Sequence, residues 1–292
     1  MLGCHHAAWA GVEITTDFPG GNATVVSNKG AQVRLKPDLR GGRDWFYWQF
    51  HATADEPGLY EFILDGKLRI GVRGPAVSHD GGLSWKWLGT DTVRFSEKGA
   101  GGDAENSESF RYRFTYARQS VLFAVAIPYL QRDLDQFLGR IDGNPHLTRS
   151  ELTRTRGGSP VELLRIGTPG PGKEAIIVSA RHHACESMAS YVLEGFLETA
   201  LSETSAARDF RERYVVYAVP MMDKDGVQNG DQGKWRFPHD HNRDYGEASI
   251  YPEVQALQKL AREVDVKLAL DFHCPSLRGE THEVFYFIGV GL

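Results

Sequence analysis

Residues 174–187 read EAIIVSARHHACES. The first seven make an apolar run of strand length, the pattern of a β-strand covered on both faces. His183 and Glu186 follow as H-x-x-E. Beyond them Met188, Val192, Phe196 and Thr199 recur at helical spacing, with Tyr191 and Gly195 between, which predicts an amphipathic helix. The two polar side chains therefore fall in the turn between a buried strand and a helix. Open α/β sheets hold ligands at such carboxyl ends of strands. A second apolar run, VKLALDF at 266–272, predicts another buried strand, and His273 is the residue that leaves it.

Two imidazoles and one carboxylate can hold a single zinc ion with a fourth position open. His183, Glu186 and His273 are the expected ligands, and one Zn2+ ion is the expected cofactor. H-x-x-E alone is a weak signal, because an isolated histidine is more often an exposed or hydrogen-bonded imidazole. The strand-end context of all three residues favours the metal, and with it zinc-dependent hydrolysis.

The rest of the chain fits an enzyme. Its 292 residues can bury a large core and suggest two domains. With 41% hydrophobic and 24% charged residues, the composition is that of an ordinary globular protein. A net charge of −5 gives no electrostatic reason to expect nucleic acid. No apolar stretch approaches the roughly 20 residues that span a bilayer, so no membrane partner is expected. The start, MLGCHHAAWAG, lacks a basic region followed by a long apolar one, so a cytoplasmic location is favoured. A secreted or periplasmic location follows if this start is the remnant of a signal peptide. Oligomeric state has no signal. Three cysteines make no disulfide framework. Cys185 and Cys274, each beside an expected ligand, read as small buried side chains in preference to a local disulfide.

Two halves differ in pattern. From residue 12 to about 127, short β-like runs such as DWFYWQFHAT, GLYEFILDG, SFRYRFTYA and SVLFAVAIPY alternate with turn signals, which predicts an antiparallel β-sandwich. Its aromatic cluster at 45–48 reads as core in preference to a ligand surface. The polar segment 96–109 reads as a long loop. After a helix near 131–140 come VELLRIG, EAIIVSA, the helix after Glu186, RYVVYAVP, a helix at about 250–264, VKLALDF and EVFYFIG. That alternation predicts an α/β domain with a mixed sheet covered on both faces. The expected domains are 1–130 and 131–292.

Taken together and in order, RHHACES…YVLEGFL, VPMMDKDGVQNGDQGKWR, HDHNRDY and LDFHCP resemble the zinc carboxypeptidases of the M14 class. The likeness is greatest to the cytosolic-carboxypeptidase-like branch, which carries a β-sandwich ahead of its catalytic domain. It implies a metallocarboxypeptidase acting on peptide or protein C-termini. His183, Glu186 and His273 fall on that family's zinc ligands, and Asn242 and Arg243 on the pair that grips the substrate's terminal carboxylate. A guanidinium suits that task because it can bind a carboxylate in a bidentate fork. Arg236 is the candidate for stabilising the oxyanion, with Lys234 the weaker one. The family's general-base glutamate lies well beyond its third ligand. Glu280 and Glu283 come too early to match it, so the base is expected to be missing and the catalytic domain incomplete at its C-terminus. The alternatives are a zinc amidohydrolase acting on small amino acid derivatives, and a non-catalytic protein that binds peptide C-termini.

Overall fold

The computed structural model describes residues 11–66, 68–96, 107–274, 276–279 and 288. These fall into two compact units, one containing residues 11–39, 44–127 and 276–279, the other 40–43 and 128–274. Two short segments thus depart from a single cut near residue 130. Among the described residues no helix is long and apolar enough to cross a membrane.

Among the described residues the first unit contains ten short strands: β1 Val12–Thr15, β2 Thr24–Lys29, β3 Gln32–Lys36, β4 Gln49–Ala54, β5 Gly58–Leu64, β6 Ala76–Ser78, β7 Lys86–Trp87, β8 Val93–Arg94, β9 Glu108–Phe114 and β10 Ser120–Ala124. They form two sheets, β1-β4-β10-β6-β7 and β2-β3-β5-β9-β8. Aromatic side chains from both meet between them. Phe50 on β4 lies 5.4 Å from Phe62 on β5, and Phe123 on β10 lies 5.2 Å from both Phe62 and Phe110. Trp45 and Trp48 are fully buried, as the core reading of that cluster requires. Pairing is antiparallel except between β3 and β5, which run parallel. The segment expected as a loop at 96–109 already turns into β9 at Glu108; residues 97–106 lie outside the described residues.

The second unit is built from α1 Gln131–Arg140, β11 Leu147–Arg154, β12 Pro160–Ile166, β13 Glu174–Ala180, α2 Ser187–Leu201, α3 Ser205–Arg213, β14 Tyr214–Val219, α4 Lys224–Asn229, a 3-10 turn at His241–Arg243, α5 Pro252–Glu263 and β15 Val266–Phe272. Its described strands form one sheet, ordered β11-β12-β14-β13-β15. It is mixed: β11, β12 and β14 pair antiparallel in turn, while β14, β13 and β15 run parallel. Leu134, Phe137, Leu193 and Leu197 from α1 and α2 pack with Val178 and Val216. Val254, Leu257 and Leu260 from α5 pack with Ile177 and Val219, whose neighbours in sequence serve the other cluster, so helices cover both faces.

Two sequence expectations are corrected here. Strand β15 is not buried: Lys267, Leu268 and Ala269 are all exposed, because β15 is the edge strand among the described residues. Helix α2 buries Ala189, Leu193, Leu197 and Ala200; of the expected stripe Met188 and Val192 are exposed, and only Phe196 packs, partly buried, against the core. Both stripes are apolar and both recur at helical spacing, so periodicity could not choose between them. Strand β11 and helices α3 and α4 went unread; β11 (LTRSELTR) is a largely exposed edge strand with no apolar alternation. EVFYFIG at 283–289 falls almost wholly outside the described residues.

Candidate metal centre

Strands β13 and β15 are parallel neighbours, with Ala180 opposite Phe272. The turn after one strand and the residue after the other therefore meet, although some ninety positions separate them in sequence. One ligand atom from each of His183, Glu186 and His273 lies within 4.8 Å of the others. His273 Nδ1 is 2.6 Å from Glu186 Oε2, and His183 Nδ1 is 3.3 Å from the same oxygen. Both imidazoles thus turn their Nδ1 atoms towards one carboxylate. His183 Nδ1 is buried and has no hydrogen-bond partner. A buried nitrogen left this way costs free energy, and a cation held between the three side chains would relieve it. The donor set of two imidazoles and a carboxylate fits a divalent ion of the zinc type.

Behind each imidazole stands a carboxylate. His273 Nε2 is 2.7 Å from Asp271 Oδ2, and His183 Nε2 is 3.8 Å from Asp240 Oδ1. Such partners orient ligating imidazoles and raise their basicity. Asp271 also accepts from the Ser179 hydroxyl at 2.9 Å and lies 2.8 Å from His182 Nδ1, whose Nε2 is 2.6 Å from the Tyr245 hydroxyl oxygen. Sequence reasoning missed these residues. Asp271 had a usable signal, since residues two apart on a strand share a face. Asp240 had none.

The electrostatics follow from this packing. Desolvation alone would lower the His273 pKa, but Asp271 and Glu186 push it up to about 10. For His183 desolvation is likewise outweighed, by Asp240 and Glu186, and its pKa rises. Burial would raise Glu186, yet the two imidazoles and Lys234 hold it well below the usual carboxylate range. The metal-free cluster is a set of mutually neutralising charges, and a cation would take the place of the imidazole protons.

The loop after α4 supplies two cations in different directions. Lys234 Nζ lies 2.6 Å from Glu186 Oε1, at the centre itself. Arg236, the residue expected to stabilise an oxyanion, instead pairs with Asp223 at 2.9 Å and Asp231 at 3.0 Å. Gly233 lets this loop approach: at its φ of 84°, a Cβ would overlap the Ala184 amide nitrogen and crowd the His183 Cα.

Asn242 and Arg243 close the 3-10 turn on the other side. The Asn242 amide nitrogen is 3.0 Å from His273 Nε2, and the Arg243 side chain is exposed. Asp244 anchors this turn. Its carboxylate accepts from the Ile250 and Tyr251 amides, both at 2.8 Å, and from the Ser249 hydroxyl at 2.6 Å, and lies 2.6 Å from His239 Nε2. Cys185 and Cys274 are free thiols, and burial pushes the Cys274 pKa up to about 12 and that of Cys185 further.

Residues 134–246 match the zinc carboxypeptidase family, Peptidase M14. Cytosolic carboxypeptidase 3 of Bos taurus is 25% identical over 288 residues, which span 88% of this chain and 28% of that protein. Cytosolic carboxypeptidase 2 of Mus musculus is 30% identical over 271 residues, 83% of this chain and 31% of that protein. The chain therefore spans about a third or less of the curated relatives named here. Among solved structures, a metallo-carboxypeptidase from Pseudomonas aeruginosa, in complex with (2-guanidinoethylmercapto)succinic acid, superposes with a TM-score of 0.76 at 24% identity. That superposition covers 90% of this chain and 69% of the other. The metallo-carboxypeptidase from Burkholderia cenocepacia gives 0.74 at 24% identity, covering 90% and 70%. At these identities the two structures show a shared fold. From its fold, its ligand triad and its sequence, the chain resembles the M14 zinc carboxypeptidases, in the branch of the cytosolic carboxypeptidases.

Proposed function

We propose that this chain carries the metal site and the terminal-carboxylate site of a zinc metallocarboxypeptidase that removes residues from the C-termini of peptides or proteins. The observation that supports this reading is the Asn242 amide 3.0 Å from His273 Nε2, with Arg243 next to it in the chain and exposed, and His273 within reach of His183 and Glu186. One zinc ion held by His183, Glu186 and His273 would supply Lewis acidity and an activated water. Asp271 holds the His273 imidazole by its far nitrogen at 2.7 Å, and Asp240 faces that of His183 at 3.8 Å. Arg243 offers an exposed guanidinium to a terminal carboxylate, and Asn242 an amide. Lys234, not Arg236, is the cation positioned to face developing negative charge, since Arg236 is committed to two carboxylates.

The carboxylates at the centre are all engaged with imidazoles. The general base that such hydrolysis uses is accordingly read as lying outside the described residues. In the same reading, residues 1–130 form an accessory sandwich domain and 131–292 the catalytic part. The names of the curated relatives support a cytosolic setting.

The test uses zinc-loaded protein and peptides ending in a free carboxylate or an amide. The reading expects the free-carboxylate peptide to bind and the amide not to, with binding lost in Arg243→Ala. Equal binding of both peptides would sink it. Binding without release of the terminal residue would favour the non-catalytic reading.

A further inference from the structure

Arg181 stands two residues before His183 and has a left-handed backbone, with φ of 65°. Side chains other than glycine, asparagine and aspartate seldom take that conformation. Arg181 is nevertheless 2% exposed, and all three of its guanidinium nitrogens donate hydrogen bonds. Nε donates to the Ala184 carbonyl at 3.1 Å, and Nη2 donates to the same oxygen. Nη1 donates to the Tyr129 carbonyl at 2.8 Å and the Ser190 hydroxyl at 3.1 Å. The Arg181 carbonyl in turn accepts the Asp223 amide at 2.9 Å.

These partners define a brace. Ala184 lies between the two ligands of the turn, Ser190 in the first turn of α2, and Tyr129 just ahead of α1. The left-handed residue folds the chain back after β13, which brings its own side chain under the turn it has started. A planar fork of five N–H donors can satisfy three differently placed acceptors at once, which a lysine ammonium on a flexible stem does not.

We propose that Arg181 is a positioning residue for the metal site, holding the turn from His183 to Glu186 converged before an ion arrives. The inference rests on the metal reading above. Arg181 is assigned to hold the peptide that carries the ligands and not to take part in chemistry. It fixes the peptide between two ligands, so that binding does not have to order the turn. Residues that support ligands in this way typically change metal affinity by about 10–100-fold when replaced.

Arg181→Gly isolates the side chain, because glycine takes the left-handed backbone freely. Metal-free wild type and variant are titrated with zinc and with cobalt, and the visible absorption of bound cobalt is recorded. The expected result is a folded variant with affinity about 10–100-fold weaker and an altered cobalt spectrum. Adding methylguanidinium should restore part of the wild-type spectrum, a response that a general loss of stability would not give. An affinity within twofold of wild type and an unchanged spectrum would overturn the proposal. Should Arg181→Gly fail to fold, Ser190→Ala removes one acceptor of the brace and should weaken cobalt binding several-fold; no change there also overturns it. A wild-type protein that binds neither metal would overturn the metal reading itself, a result distinct from the others.

Discussion

Lys234 and Arg236 are two residues apart on one loop, yet they serve two different buried charge clusters. Lys234 faces Glu186 and the two imidazoles, where an ion can replace protons. Arg236 is held between Asp223 and Asp231, with Asp223 1% exposed. A cation in a motif is therefore not a catalytic cation until its partners are known. One cluster is built to exchange a charge, the other to keep one.

The largest effect that separates the clusters is on metal. His183→Ala should weaken zinc binding by more than the roughly 100-fold that a supporting residue costs, with the metal-free protein still folded. Zinc titration alongside circular dichroism checks this, and retained affinity would remove His183 from the ligand set.

Arg236→Met should do the reverse. It removes the cation that Asp223 and Asp231 share, leaving only the more distant His241 and Arg40, and breaking a buried pair costs about 3–5 kcal/mol. Urea unfolding of the metal-free protein should show that loss, while zinc affinity moves little. Normal stability with failed peptide processing would instead restore Arg236 as the oxyanion residue.

Asp244 tests whether the turn bearing Asn242 and Arg243 is held by charge. Burial alone would raise its pKa, but hydrogen bonds from Ser249, Ile250 and His239 hold it below the ordinary carboxylate value. A carboxylate depressed in the folded state adds stability above its unfolded pKa of about 4 and loses it as pH falls through the folded value. Asp244→Asn should therefore cost about 1–3 kcal/mol at pH 7. The gap from wild type should shrink below about pH 4. Urea unfolding at pH 7, 5 and 3.5 measures it, and a gap that widens in acid would contradict the sign.

The smallest effect is expected at Lys234. Lys234→Met removes a partly exposed cation from a site that is to hold another, so stability should change by under about 1 kcal/mol. Zinc should bind a few-fold more tightly, since the lysine charge no longer opposes it. Weaker zinc binding in this variant would mean that Lys234 supports the site and does not compete with the ion.

Much of this was legible without coordinates. EAIIVSA announced a central strand because it is apolar at Ala175–Val178 and Ala180, positions the helical layers cover on both faces. The H-x-x-E that follows it had to lie at the strand's carboxyl end. VKLALDF looked the same and is an edge strand, because local composition does not say how many neighbours a strand will have. Helix α2 was foreseen, but its buried face was misread for a related reason. It carries apolar side chains all round, and only the sheet beneath it selects Leu193 and Leu197 over Met188 and Val192.

The sequence by itself determined the chemistry that is available: two imidazoles and a carboxylate at strand ends, with an Asn-Arg pair between them in the chain. Residue type and local periodicity are short-range properties, and they suffice for that. Only the tertiary structure decided which groups face one another. Parallel pairing of β13 with β15 brought His273 to Glu186, and the path of one loop sent Lys234 to Glu186 and Arg236 to Asp223. Electrostatic roles fall off within a few ångströms, and distances of that order are set by packing between segments that no local reading of the chain compares.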